Sequence, residues 1–146
     1  MKITPDQIAA LDRCKFLNKR IKTALAKDYP LAMLYVTDIN PNRFPEAEPL
    51  FMTQPYGASR YARDVIKGRW PEAEPYIMKS PIHAYHYAHD IIKGPWPEAE
   101  PYILKNYISM LYYSMNILKH RWLEAEKILP NESKYWDTYK KHFGLE

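Results

Sequence analysis

The sequence predicts an all-α protein, specifically a right-handed α-solenoid of two-helix repeats that are each 26 residues long. Two observations predict this fold. A short block, clearest as Trp-Pro-Glu-Ala-Glu-Pro-Tyr-Ile, recurs every 26 residues without an insertion. Between the blocks, apolar residues follow the spacing i, i+3, i+4, i+7 of one buried helical face. The four copies of the block begin at Phe44, Trp70, Trp96 and Trp122.

The first helix of each repeat, called helix A here, is predicted from the segment between blocks. Ala58, Tyr61, Ala62 and Val65 form one apolar stripe, and the same stripe returns 26 residues later. After it, one slot holds residues that tolerate the left-handed backbone conformation of a helix C-terminus, so helix A is expected to end there. That slot is occupied by Asn42, Gly68, Gly94 and His120.

The second helix, helix B, is expected to be short because Pro71 and Pro75 can share a helix only near its first turn. Glu72 and Glu74 suit the positive end of the helix dipole. Paired acids can also do acid–base chemistry or hold a divalent cation, but a pair present in all four copies favours a structural role. We expect these glutamates to cap helix B or to form exposed ion pairs. The candidate cations are Arg43, Arg69, Lys79 and Arg121.

The predicted organisation is a single domain in which 1–28 is a degenerate N-terminal cap, 29–130 holds four repeats and 131–146 is a C-terminal capping helix. Caps are expected because a stacked repeat buries its apolar face only against a neighbour. Thr4 and Pro5 mark the predicted start of the first helix. The apolar positions assigned to the caps are Phe16, Leu17, Ile21, Leu25, Trp136, Tyr139 and Phe143.

Composition favours a folded chain outside the membrane. Hydrophobic residues make up 47% of the sequence and charged residues 26%. No apolar run approaches the roughly 18 residues of a membrane span, and the first residues do not resemble a secretory leader, so a cytoplasmic protein is expected. Cys14, the single cysteine, is expected to pack rather than to form a disulfide or bind zinc. The net charge of +4 arises within residues 1–28.

The block at 69–79, Arg-Trp-Pro-Glu-Ala-Glu-Pro-Tyr-Ile-Met-Lys, follows Tyr-Ala-Arg-Asp-Val-Ile-Lys-Gly at 61–68. Together these segments resemble the tandem short helical repeats of many poorly characterised bacteriophage and bacterial proteins. The resemblance covers residues 29–130. It implies a phage-type origin, with the host cytoplasm as the expected location. It implies no particular activity and no functional residues.

Several recurring residues are interpreted as scaffold. Asp38, Asp64 and Asp90 stand near the end of helix A, where an acid opposes the helix dipole, so we expect each to accept a hydrogen bond from the next repeat. The aromatic residue that opens each block is expected to pack between repeats rather than to form a binding cage. Neither set is therefore predicted to bind a ligand.

Positions of helix A that change from copy to copy are the predicted binding surface, because scaffold positions in repeat proteins recur while binding positions vary. Drift on an exposed helix explains the variation equally well. His83, His86 and His89 are spaced by three, but no second ligand cluster is expected beside them, so no metal site is predicted. The predicted binding residues are Arg60, Arg63, Tyr85, His86, His89 and Tyr112. The other variable positions are Met33, Leu34, Thr37, Ser59, Leu111 and Met115.

The sequence contains no nucleophile elbow, phosphate loop or dinucleotide fingerprint, so no catalytic residue, cofactor or enzymatic activity is predicted. The first hypothesis is a protein-binding helical-repeat module, for example a phage protein that sequesters or inhibits a host factor. The second is nucleic-acid or nucleotide binding through the cationic and aromatic face. The basic row of Lys15, Lys19 and Lys22 could bind nucleic acid or an anionic membrane surface, but a face that keeps the cap soluble is favoured. The third is self-assembly into homo-oligomers.

Overall fold

A computed structural model of the chain describes residues 4–13 and 19–145. Within these residues the regular structure is helical, with turns between helices and no strand, which confirms the predicted all-α class. The chain divides into two compact units, residues 1–76 and 77–146. The expectations for Cys14, Lys15, Phe16 and Leu17 fall outside the described residues.

Short helices make up both units. The first unit contains α1 (Pro5–Arg13), α2 (Lys19–Leu25), α3 (Tyr29–Leu34), α4 (Glu48–Met52) and α5 (Pro55–Tyr61). The helix α6 (Glu74–Ile77) follows at the division between the units. The second unit contains α7 (Pro81–Tyr87), α8 (Glu100–Ile103), α9 (Tyr107–Tyr113), α10 (Leu123–Glu126) and α11 (Lys134–Phe143).

The predicted short helix B corresponds to α4, α6, α8 and α10, which contain only four or five residues each. Pro49 of α4 and Pro101 of α8 lie in the first turn. Backbone nitrogens there have no acceptor within the helix, so proline, which lacks the N–H group, costs no hydrogen bond. A 3₁₀ turn, Pro97–Ala99, leads directly into α8. Helix B is therefore about one turn long, as the sequence predicts, and α10 is equally short although it lacks both prolines.

The predicted start of the first helix is confirmed by a reciprocal cap. The hydroxyl of Thr4 accepts a hydrogen bond from the backbone nitrogen of Gln7 at 3.3 Å, and the Gln7 side chain accepts one from the backbone nitrogen of Thr4 at 2.8 Å. In the same unit, Asp28 caps α3 by accepting from the backbone nitrogen of Leu31 at 3.1 Å. Side-chain oxygens thus satisfy backbone donors at both helix starts.

Helix A ends in an unusual way. Each of α3, α5, α7 and α9 continues into five residues of π-helix, whose hydrogen bonds join residue i to i+5. In the second copy the backbone nitrogens of Lys67 and Gly68 both donate to the carbonyl of Ala62, so the chain must reverse at Lys67. The π segments are Tyr35–Ile39, Ala62–Ile66, Ala88–Ile92 and Ser114–Leu118.

The predicted left-handed slot is wrong. In three copies the left-handed residue lies one position earlier, at Lys67, Lys93 and Lys119, with φ values of 58°, 59° and 57°, whereas Gly68 and Gly94 do not adopt positive φ. In the first copy Pro41 occupies the lysine position, and Asn42 does not adopt positive φ. The prediction rested on the preference of glycine and asparagine for positive φ, whereas the π turn reverses the chain at the residue before them. Nothing in the structure explains the glycines at 68 and 94, since a β-carbon at either position would meet open space.

The core follows the predicted stripe of helix A. In the first unit Ala58, Tyr61 and Ala62 are fully buried. Their counterparts in the second unit are also fully buried, and all four aromatic residues that open the blocks are buried, which confirms their packing role. The counterparts are Ala84, Tyr87 and Ala88, and the block residues are Phe44, Trp70, Trp96 and Trp122.

Close approach of α5 to α3 depends on Gly57. A β-carbon at this position would overlap the hydroxyl of Tyr29, whose ring also packs edge-on against Phe51 at a centroid distance of 6.0 Å. Gly57 is buried, so a larger side chain at this position could not extend into solvent. Position 57 therefore holds glycine to make room for Tyr29.

The predicted C-terminal capping helix is α11. Its first turn is capped by Ser133, whose hydroxyl accepts from the backbone nitrogen of Trp136 at 3.2 Å. It ends at Gly144, which takes the left-handed conformation with φ of 65°. Tyr139 is fully buried, whereas Trp136 and Phe143 are only partly buried. The register predicted for this helix is confirmed by its buried tyrosine.

Candidate binding surface

A recurring set of hydrogen bonds holds helix A against the block that precedes it. The hydroxyl of Tyr113 accepts from the backbone nitrogen of Trp96 at 2.6 Å and donates to the Glu100 carboxylate at 3.0 Å. We call this arrangement the tyrosine clasp. It recurs at Tyr61 with Phe44 and Glu48, and at Tyr139 with Trp122 and Glu126.

Arginine pairs with the second glutamate of the block in three of the four copies. Arg43, Arg69 and Arg121 each form two hydrogen bonds to the second glutamate of their block, which confirms the predicted pairing. The prediction of exposed pairs is wrong on the glutamate side, since these carboxylate side chains are only 10% to 15% exposed. Pro95 occupies the arginine position in the remaining copy. The partners of the three arginines are Glu48, Glu74 and Glu126.

The N-terminal copy replaces the glutamate with an aspartate from α1. Tyr35 donates to Asp12 at 2.8 Å, and the amide of Asn40 donates to the same carboxylate at 3.2 Å. Burial, followed by the hydrogen bond to Asp12, raises the pKa of Tyr35 to about 12. Burial likewise raises the pKa of Tyr139 to about 12 and raises the pKa of Tyr113 well above its usual range. These tyrosines keep their protons in the folded state because burial penalises the charged form.

The prediction that Asp64 and Asp90 accept hydrogen bonds from a neighbouring repeat is wrong. Asp64 pairs with Arg63 at 2.7 Å and with Arg60 at 3.4 Å, and Asp90 pairs with His89 at 2.7 Å, all within one helix. The hydrogen bond from Arg63 lowers the pKa of Asp64. At Asp64 the two arginines offset the unfavourable dipole, and at Asp90 the hydrogen bond with His89 satisfies the carboxylate locally, so no bond from another repeat is required.

Two of the predicted binding residues, Arg60 and Arg63, lie in the first unit. Both share the Asp64 carboxylate, with Arg63 forming two hydrogen bonds at 2.7 and 3.1 Å. Two of the other variable positions are not surface positions: Met33 is 6% exposed and Leu111 is 5% exposed. Both of these side chains are apolar, and the interior of the helix pair accommodates them.

The remaining predicted residues meet in the second unit. A groove of about 310 Å³ between α7 and α9 is lined by Tyr85, His86 and Tyr112. The Tyr85 and Tyr112 rings stack at a centroid distance of 6.1 Å and an angle of 28°, and Asn116 donates to the Tyr85 hydroxyl at 3.0 Å. His89 lies outside the lining, with its ring 5.8 Å from that of Tyr85. The other lining residues are Ile82, Asn106, Ile108 and Ser109.

A second groove of about 300 Å³ adjoins the first, between α9 and α11. The side chains of Ile108 and Tyr112 line both grooves and stand between them. Tyr135 forms part of the far wall, and the ammonium group of Lys134 lies over its ring at 5.2 Å. We call this surface the aromatic strip and define it as Ile82, Tyr85, His86, Ile108, Tyr112 and Tyr135.

Exposure distinguishes the aromatic strip from core. Ile82 is 50% exposed, Ile108 47% and Tyr112 46%. Sequence reasoning missed Ile82 and Ile108 because they recur at the 26-residue spacing, which suggests scaffold. No signal in the sequence marks them as exposed. In the structure Tyr56, which occupies the same position one copy earlier, is exposed as well, so this position lies at the surface in three copies.

Metal binding has no support among the described residues, where no three His, Cys, Asp or Glu side chains gather into a possible metal site. His89 is paired with Asp90, and burial, followed by the charge of His86, lowers the pKa of His83. The stretch of three histidines therefore contributes His86 to the groove and divides its other members between an ion pair and a half-buried position.

Comparison with known proteins finds no matching family model, no matching curated protein and no matching solved structure. Among the described residues, no helix has both the length and the apolar character needed to cross a membrane.

Proposed function

We propose that this chain is a non-enzymatic binding module whose aromatic strip receives a segment of a partner protein. The observation that carries the proposal is the pair of adjoining grooves on either side of Ile108 and Tyr112. Concave surfaces with apolar and aromatic walls are the usual form of binding sites. Exposed aromatic side chains also supply most of the energy in many protein interfaces.

The scaffold beneath the strip supports a role in recognition. Tyr113 follows Tyr112 directly, and its clasp fixes α9 to the block that begins at Trp96. Asn116 fixes Tyr85 in the same way. Rigid positioning lowers the entropy lost when a partner binds, so these hydrogen bonds favour affinity. Recurrence of the clasp at multiples of 26 residues supports the repeat organisation of the solenoid, right-handed and built from two-helix repeats, that we propose for the architecture.

Charge favours a protein partner over nucleic acid. Binding to phosphates draws on free Lys and Arg side chains. Arg60 and Arg63 share the Asp64 carboxylate, and Lys134 is the one side chain with a full positive charge among the residues that line the two grooves. The repeat resemblance supports a bacterial host protein as the partner, bound and sequestered in the cytoplasm.

The test is a pull-down from bacterial lysate with three forms of the chain. The test variant carries Ile108→Ser and Tyr112→Ser in the strip. The matched control carries Leu123→Ser and Ile128→Ser, which remove exposed apolar side chains from another part of the second unit. We expect a discrete protein that resists nuclease treatment, is captured by the wild type and the control, and is lost from the test variant.

Two results would contradict the proposal. Equal loss of the partner from both variants would mean that the strip is not the binding surface. Capture of material that disappears after nuclease treatment would favour nucleic acid. Circular dichroism of each variant confirms that a lost partner does not reflect unfolding.

A further inference from the structure

Lysine occupies a backbone position that glycine would occupy at lower free energy. In the second unit Lys93 and Lys119 have φ of 59° and 57°, in the left-handed region. A residue with a β-carbon is strained there, and glycine avoids this strain. Gly94 follows Lys93 immediately, but it does not adopt positive φ. The side chain of lysine therefore stands at a strained position in two neighbouring helices, and Lys67 repeats the arrangement in the first unit.

Neither lysine in the second unit has an ionic partner. Lys93 and Lys119 are exposed, and neither forms an ion pair with any described residue. By contrast, Arg121 binds Glu126 at 2.6 Å and Lys140 binds Asp137 at 3.5 Å. A cation near a helix C-terminus gains some stability from the dipole, but that interaction is screened at an exposed site. Two unpaired charges therefore remain available at strained positions.

Both lysines directly follow helices that carry the aromatic strip. Lys119 stands three residues after Asn116, which lines the groove between α7 and α9. Lys93 stands four residues after His89, whose ring packs against Tyr85. Two of the three helices of the strip, α7 and α9, thus begin near an exposed isoleucine, continue through aromatic residues and are followed by an unpaired lysine.

We propose that Lys93 and Lys119 bind carboxylates of the same partner segment that occupies the aromatic strip. The partner is then a protein segment with apolar residues for the grooves and acidic residues for the two lysines. This inference rests on the proposed function. It adds the chemical character of the partner.

The test selects ligands from a display library of random 12-residue peptides on the wild-type chain. We expect enriched peptides to combine Asp or Glu with aromatic or branched apolar residues. The dissociation constant of one such peptide is then measured for two variants. Lys93→Gly with Lys119→Gly removes the proposed contacts, and Lys127→Ala with Lys141→Ala removes the same charge elsewhere in the second unit.

The lysine-to-glycine variant should bind the peptide about fivefold to tenfold more weakly, which is the contribution expected of two exposed ion pairs. It should also melt at the same or a higher temperature than the wild type, because glycine relieves the left-handed strain. The control variant should bind within about twofold of the wild type, a difference of less than half a kcal/mol.

The possible failures are distinguishable. No enriched peptide at all would contradict the proposed function and this inference together. Enriched peptides that lack acidic residues, or equal weakening by both variants, would overturn the inference and leave the aromatic strip as a peptide site. Displacement of the peptide by a 12-nucleotide oligothymidylate at lower concentration would assign the lysines to nucleic acid instead. A fall in melting temperature of the glycine variant would show that lysine stabilises the fold at these positions. The inference would then lose its premise that lysine is strained there.

Discussion

The hydroxyl of Tyr113 accepts a hydrogen bond from the backbone nitrogen of Trp96 at 2.6 Å while it donates one to Glu100 at 3.0 Å. One oxygen atom thus ties helix A to a backbone donor that opens the block and to the second glutamate of that block. Because Tyr113 is fully buried, water cannot replace either bond. Removal of this oxygen should therefore lower the free energy of unfolding, whereas removal of the neighbouring Tyr112 hydroxyl should leave it nearly unchanged.

The first prediction compares these two neighbours. Tyr113→Phe removes the clasp oxygen and leaves a buried backbone donor unpaired, so we expect a loss of about 1–3 kcal/mol in the free energy of unfolding. Tyr112→Phe removes a hydroxyl from an exposed ring and should change that energy by less than about 0.5 kcal/mol. Urea denaturation followed by circular dichroism measures both. Equal effects would mean that the clasp does not stabilise the fold.

Alkaline pH provides the second prediction. Burial raises the pKa of Tyr35 and Tyr139 to about 12, above the ordinary value of 10.0, and raises that of Tyr61 and Tyr113 further. Above pH 10 the unfolded chain releases these protons while the folded chain retains them, so stability falls as pH rises from 10 through 12. Tyrosinate absorbance of these residues should then rise together with the loss of helical signal. Complete ionisation of all tyrosines without loss of the helical signal would contradict this prediction.

Acid pH provides the third prediction. Hydrogen bonds from Arg121, and then from Tyr139, lower the pKa of Glu126 below 4.5. This contribution to stability is present above the unfolded value and is lost as pH falls through the folded value. Glu126→Gln should lower the melting temperature at pH 7 by about 2 °C and weaken its dependence on pH between about 3 and 5. Exposed Glu124→Gln is the control. Identical pH profiles for the two variants would contradict the prediction.

The fourth prediction concerns two glycines. Gly57→Ala forces a β-carbon against Tyr29, so we expect a loss of about 1–3 kcal/mol from overpacking. Gly68→Ala meets open space at a φ that is not positive, and it should stabilise the chain by about 0.4–1 kcal/mol through the unfolded state. Thermal denaturation of both variants tests the pair. Stabilisation by Gly57→Ala would mean that Tyr29 moves aside without loss.

The helices could be predicted from the sequence because the same pattern of apolar residues and prolines recurs in successive copies. The stripe of Tyr61 and Ala62 and the short proline-rich helix B are both confirmed. The helix ends were predicted less well. The left-handed position was assigned to Gly68 because glycine tolerates positive φ, whereas the π turn reverses the chain at Lys67.

The candidate site was predictable only in part. Variation between copies drew attention to Tyr85, His86 and Tyr112, which line one groove. Variation between copies did not indicate that the Leu111 side chain is buried. It also did not point to Ile108, because an apolar residue that recurs between copies is ordinarily part of the core. The sequence alone does not separate an exposed recurring residue from a buried one, since both have the same spacing.

Hydrogen exchange of the chain with and without its captured partner tests the central claim most directly. If the aromatic strip receives the partner, amide protection should increase in Pro81–Tyr87, Tyr107–Tyr113 and Lys134–Phe143, the helices that form the two grooves. Protection that increases only in Pro5–Arg13 and Lys19–Leu25, with these three helices unchanged, would contradict the account and place the binding surface at the basic N-terminal end.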